Sequence, residues 1–165
     1  MIKKLLAGLM ASVSLTAPAV AKVDPGTPEL IRTAEQYGAT FVYNTSACTG
    51  RFHGSYRPTT RLITLCYDVA NANAHDTVRH EVWHFIQHCA TSRRRVPGPY
   101  LTPLSNEDTL RQRWVVQSLG TNRIERIKAA YPARVHQIEL EAFAAASTYT
   151  ATEIASVVKD WCLPT

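Results

Sequence analysis

Along residues 75–90 the apolar side chains Val78, Val82, Phe85, Ile86 and Cys89 recur three and four positions apart, the spacing that buries one stripe of a helix. Asp76 stands at its start as a cap or first-turn acid. Upstream, Thr27 with Pro28 at the first helical position and Gly38 past the end brackets a helix over 28–37. Thr40 to Asn44 is short, β-branched and aromatic, and predicts a strand. Cys48 to Pro58, with two glycines and a proline, reads as a loop with room for a short extended piece. Arg61 to Tyr67 (RLITLCY) is the strongest strand pattern in the chain, and a polar turn over 71–73 follows it.

Beyond the central helix, Thr91 to Pro103 holds three prolines, a glycine and three arginines and predicts a long loop. Ser105 followed by Asp108 opens a further helix that Gly120 closes; Thr121 starts another, ended by Pro132. Ala133 to Thr148 is alanine-rich, with Ile138, Leu140, Phe143 and Ala145 among its apolar positions. Thr150 with Glu153 then caps a last helix reaching Cys162. Strands come first and helices after, with no internal repeat. The pattern predicts an α+β fold in which a small N-terminal antiparallel sheet packs on a mainly helical domain.

The N-terminus changes the picture of where the chain works. Lys3 and Lys4, the apolar run Leu5 to Leu15 and Ala19-Val20-Ala21 have the form of a signal peptide over residues 1–21. Residues 22–165 are then one secreted or periplasmic domain. No later stretch reaches the roughly eighteen apolar residues of a membrane span. Four cysteines in an oxidising compartment predict two disulfides, with three pairings possible. Cys48 with Cys66 would staple a loop to the following strand, and Cys89 with Cys162 would tie the motif helix to the C-terminus. Charge adds little: the formal net charge is +5, and Arg93-Arg94-Arg95 lacks the interleaved aromatics of a nucleic-acid surface, so it is read as a solvated loop.

The candidate chemistry is His80-Glu81-Val82-Trp83-His84, a His-Glu-x-x-His pattern inside the segment already read as helical. Four residues is about one turn, so both imidazoles leave one face and can meet one zinc ion. Glu81, one position along, is angled to act as general base on a water. This motif resembles that of the zincin metallopeptidases, and its neighbourhood is similar to small uncharacterised bacterial proteins of that type. The resemblance implies a zinc cofactor, a peptide or protein substrate, and a sheet whose edge strand takes an extended peptide, a place matched here by Arg61 to Tyr67.

Catalytic zinc takes three protein ligands and leaves a position for water. His88 is excluded, because eight residues of straight helix separate it from His80 by about 12 Å. Gln87 and Ala90 stand where the metzincin subgroup has its glycine turn and third histidine. The segment His136 to Ala145 resembles the Glu-x-x-Ala helix of gluzincins, which implies Glu139 as third ligand, three before Ala142. Glu141 is the alternative, about 200° round the same helix. Phe143 replaces the acid that related families often carry four after the ligand, so the group orienting a histidine must come from elsewhere. His136, three before Glu139, is the candidate oxyanion donor, with Tyr149, Tyr100 and Arg79 as others. Trp83 is expected in the core or a pocket wall, and His53 and His75 on the surface. The competing class is a secreted domain that retains zinc without turnover.

Overall fold

A computed structural model describes residues 24–49, 53–66, 72–96, 101–104 and 107–164. The signal-like segment 1–21 and Tyr100 lie outside them. In chain order the elements are α1 (Thr27–Gln36), β1 (Thr40–Tyr43), β2 (Gly54–Arg57), β3 (Leu62–Leu65), α2 (Ala72–Arg93), α3 (Asp108–Leu119), α4 (Thr121–Ala130), α5 (His136–Thr148) and α6 (Ala151–Trp161). Short 3-10 turns at Pro58–Thr60 and Ala133–Val135 lead into β3 and α5.

The α+β class is observed, with the helices dominant. The sheet, however, is mixed: its order is β1-β3-β2, β2 running antiparallel and β1 parallel to β3. Parallel pairing of β1 follows from the connection, since the chain leaves β1, makes β2 as the hairpin partner of β3, and only then inserts β3 between them. This also corrects the expected edge strand. β3 is paired on both sides, with Ile63, Thr64 and Leu65 buried, and β2 forms the edge nearest the motif helix.

α2 is the axis of the fold, packing against α1, α5, α6, β2 and β3. Its predicted stripe is buried: Val78, Val82, Phe85 and Ile86 are fully covered, against Leu30, Ile63, Leu65, Ile154 and Val158. Trp83 belongs to the same core. α5 meets α2 through Ala142 and Ala145, and its Ala144 joins Val115 and Ile124 in a second cluster with α3 and α4. Such small side chains let two helices approach closely, which brings polar groups on α5 to the motif.

Both expected disulfides are present, Cys48–Cys66 and Cys89–Cys162, and they are compatible with an extracellular or periplasmic protein. Thr150 and Glu153 form the capping box at the start of α6. α3, in contrast, has Glu107 as its N-cap, and Ser105 lies outside the described residues. α2 runs on to Arg93, into the segment read as loop. The arginine run is exposed at Arg93 and Arg95, as expected of a solvated segment, but two of its members are also tied down: Arg93 donates to the Asp160 carbonyl (2.7 Å), and the half-buried Arg94 to those of Pro103 (2.7 Å) and Leu104, with its guanidinium over Trp161. Asp24 joins the starts of α1 and α6 to a side chain of α2, accepting from Gly26 N–H (3.0 Å), Ala151 N–H (2.8 Å) and Arg79 Nη1 (2.6 Å). Among the described residues no helix is long and apolar enough to cross a membrane.

Candidate metal centre and its cleft

His80 and His84 leave α2 one turn apart and face α5, as the four-residue spacing requires. Their Nε2 atoms are 3.1 Å apart, and Glu139 Oε2 lies 3.3 Å from the first and 3.5 Å from the second. Glu139 Oε2 is buried with no well-directed donor on it. Three acceptor-type atoms in a near-equilateral triangle repel one another unless a proton or a cation sits among them. For tetrahedral coordination at about 2.0–2.1 Å, ligand atoms should be about 3.3–3.4 Å apart. The observed triangle has that size, so His80, His84 and Glu139 could hold a metal ion as they stand.

Ionisation within the triangle agrees with that geometry. Burial drives His80 down to about 4, leaving a neutral imidazole. Burial opposes charge on His84 too, but the Glu139 carboxylate beside it outweighs this and raises the ring to about 9. Glu139 is likewise desolvated, yet its two histidine neighbours hold it down at about 2. A proton carried on His84 therefore compensates the Glu139 charge, in the place where a divalent cation would do so more completely.

Gln87 and Glu141 orient His84, whereas the buried Nδ1 of His80 has no hydrogen-bond partner among the described residues. Gln87 is fully buried; its Oε1 accepts from His84 Nδ1 (2.7 Å), which fixes the tautomer and turns Nε2 towards Glu139. Its amide nitrogen donates to Glu141 Oε2 (2.7 Å) and to the Ile138 carbonyl (3.1 Å). Glu141, also buried, accepts the Leu104 backbone N–H on both oxygens at 3.0 Å. Glu141 is thus not the third ligand: two residues along α5 from Glu139, it faces Gln87. The orienting role left open by Phe143 is filled from α2 itself, one turn beyond His84. A glutamine three after the second histidine was a visible signal, but its partner on α5 was not.

Glu81 is buried, and desolvation together with the nearby Glu139 charge pushes it up to about 7, where a carboxylate can both accept and return a proton. β2 crosses it closely. A Cβ at Gly54 would fall 2.9 Å from Glu81 Cγ, 3.0 Å from its Oε1 and 2.6 Å from Thr77 Cγ2, so only glycine lets the strand lie this near. Two cavities flank the centre. One, of about 240 Å³, is lined by His80, Glu81, Arg123, Tyr131, Phe143 and Ser147 among others. The other, of about 270 Å³, runs beside Ser55, Tyr56, Leu101, Tyr131 and Glu139.

Tyr131 lines both cavities and was missed in the sequence, where it stands as an ordinary residue between a helix and Pro132. Burial and the Glu139 and Glu81 charges raise its hydroxyl to about 12, so it remains a donor. The expected oxyanion donors lie elsewhere. His136 points away from the triangle, its Nε2–H meeting the carbonyls of Tyr131 (2.8 Å) and Lys128 (3.1 Å), and it borders a separate cavity between α3, α4 and α5. Three residues is about 300° of helix, which leaves it offset from Glu139 and within reach of the free carbonyls ending α4. Arg79 bonds Asp24, Asp76 and the Ala146 carbonyl, and Tyr149 stacks on Trp83 at 5.8 Å. His88 turns to Tyr56, with Nδ1 2.5 Å from its hydroxyl. His75 is buried rather than on the surface, bonded to Thr27 Oγ1 at 2.6 Å, whereas His53 is exposed at the cleft mouth.

Compared with protein-family models, curated proteins and solved structures, the chain has no match in any of the three.

Proposed function

We propose that this protein is an exported zinc-dependent metallopeptidase, similar to the gluzincin branch of the zincins, that hydrolyses peptide bonds with Glu81 as general base. The observation that carries the reading is the His80, His84 and Glu139 triangle, whose edges of 3.1, 3.3 and 3.5 Å fit one tetrahedral ion. Zinc bound there would acidify a water and polarise a substrate carbonyl. Once the His84 proton is displaced, two neutral imidazoles with an ionised carboxylate are a donor set zinc favours, and the Gln87 and Glu141 chain behind His84 is the kind of support such a site needs.

The remaining steps belong to the protein. Glu81 takes a proton from the attacking water onto its carboxylate and hands it to the leaving amine nitrogen. The Tyr131 O–H donates to the oxygen that gains charge as the carbonyl becomes tetrahedral. β2, free on its outer edge among the described residues, offers backbone groups to an extended peptide beside the site.

The test compares metal content and turnover of a quenched peptide library for wild type, His80→Ala and Glu81→Gln. One equivalent of zinc in wild type and in Glu81→Gln, none in His80→Ala, and hydrolysis only by wild type is the expected result. Zinc retention without hydrolysis by wild type would instead make the chain a non-catalytic zinc domain.

A further inference from the structure

The 240 Å³ cavity beside Glu81 contains a cation that the hydrolytic steps leave unused. Arg123, on α4, is held at its wall: Nη1 donates to Ser147 Oγ (2.9 Å) and the guanidinium lies over the Phe143 ring, 5.8 Å from its centre. Phe143 in turn packs against His80, ring centres 4.3 Å apart, so the arginine is coupled by one aromatic ring to a metal ligand. Ser147 also donates to the Phe143 carbonyl at 2.8 Å, and its hydroxyl is thereby fixed to receive the arginine. Among the described residues Arg123 has no carboxylate partner, and one of its five N–H groups is committed. The other acids of the cavity are engaged: Asp76 pairs with Arg79, and Glu81 faces the metal ligands. A half-buried guanidinium anchored on one nitrogen, with a fork of donors left over, is suited to a planar carboxylate.

We infer that Arg123, Ser147 and Phe143 form a subsite for a substrate carboxylate next to the scissile bond, making acidic or carboxyl-terminal peptides the preferred substrates. This rests on the peptidase reading for its substrate class. A carboxylate in that place has two sources, a free C-terminus and an Asp or Glu side chain. The occupant's charge is set by Arg123, and the Phe143 and Tyr131 rings line the same cavity.

The experiment uses the zinc-loaded protein and matched peptides that differ as Glu against Gln at each position around the cleaved bond, or as C-terminal acid against amide. Selectivity for the carboxylate member should be about tenfold to a hundredfold, the worth of one charge-assisted bidentate contact. In Arg123→Gln that ratio should collapse towards one, and Arg123→Lys should restore part of it. Sensitivity to amidation assigns the C-terminus; sensitivity to Glu→Gln in the peptide assigns the side chain. Calorimetric binding of the same pairs to Glu81→Gln, with and without Arg123→Gln, reads the subsite without turnover. Hydrolysis with a selectivity that Arg123→Gln does not change overturns the inference and leaves the peptidase intact. Carboxylate-selective binding with no hydrolysis by wild type does the reverse. Equal binding of both members in every protein overturns it outright.

Discussion

Gln87→Leu tests whether the metal centre depends on the chain of bonds behind it. The replacement is similar in volume and the site is fully buried, so packing is largely kept while three polar contacts vanish: His84 Nδ1 at 2.7 Å, Glu141 Oε2 at 2.7 Å and the Ile138 carbonyl at 3.1 Å. Each buried group left unpaired costs about 1–3 kcal/mol. Glu141 keeps the Leu104 N–H, and the Ile138 carbonyl retains its place in the α5 ladder. The loss therefore falls mainly on the His84 Nδ1–H, with a smaller part from the weakened bonding of the Glu141 carboxylate, about 2–4 kcal/mol of stability in the metal-free protein. Metal affinity should fall about tenfold to a hundredfold, because the His84 ring is no longer held in the tautomer that presents Nε2. Urea unfolding measures the first quantity and competition with a chromophoric chelator the second. Zinc affinity within threefold of wild type, in a protein destabilised as expected, would refute the orienting role and reduce the chain to core packing.

Other outcomes follow from particular groups. Because His84 in the metal-free protein is raised to about 9, a cation must displace its proton at neutral pH. Zinc affinity should thus increase about tenfold per pH unit from pH 6 towards 9, and a flat chelator-competition profile would contradict this. Gly54→Ala should cost about 1–3 kcal/mol and, by shifting Glu81 on the order of 1 Å, lower kcat/KM about a hundredfold with zinc content intact; unchanged kcat/KM would show that β2 yields freely. Asp24 is held below the usual carboxylate range: burial opposes ionisation, but the Ala151 and Gly26 N–H groups and Arg79 outweigh it. Its stabilisation is complete above the unfolded-state pKa of about 3.9 and is lost as pH falls through the lower folded value. Asp24→Asn should remove about 1–3 kcal/mol near pH 7 and less in strong acid, as read from urea midpoints across pH, and a constant difference would count against the account.

What could be read from residues alone was local. The burial stripe of α2, the capping box at Thr150 and the glycine stop at Gly120 are set by neighbours within a few positions, and all three are observed. One helical turn between His80 and His84 is likewise a property of the helix, independent of what packs on it. Of three possible disulfide pairings, the one favoured for stapling a loop to its following strand and the motif helix to the C-terminus is the one observed.

Tertiary structure decided everything that depends on two segments meeting. Helix propensity does not separate Glu139 from Glu141, both acids on one alanine-rich helix, and only the resemblance of the Glu139 to Ala142 spacing to a Glu-x-x-Ala helix favours the first; the direction in which α5 leans on α2 sends Glu139 to the histidines and Glu141 to Gln87. Strand order was equally invisible, since β1 and β2 compete for the same partner and only the packed sheet shows β3 between them. Tyr131 and Arg123 carry no motif, and reach the cleft because α4 folds back over α5. Short-range periodicity specifies faces and ends of elements, whereas the site also needs contacts between distant segments, such as Gln87 of α2 with Ile138 and Glu141 of α5, which periodicity does not encode.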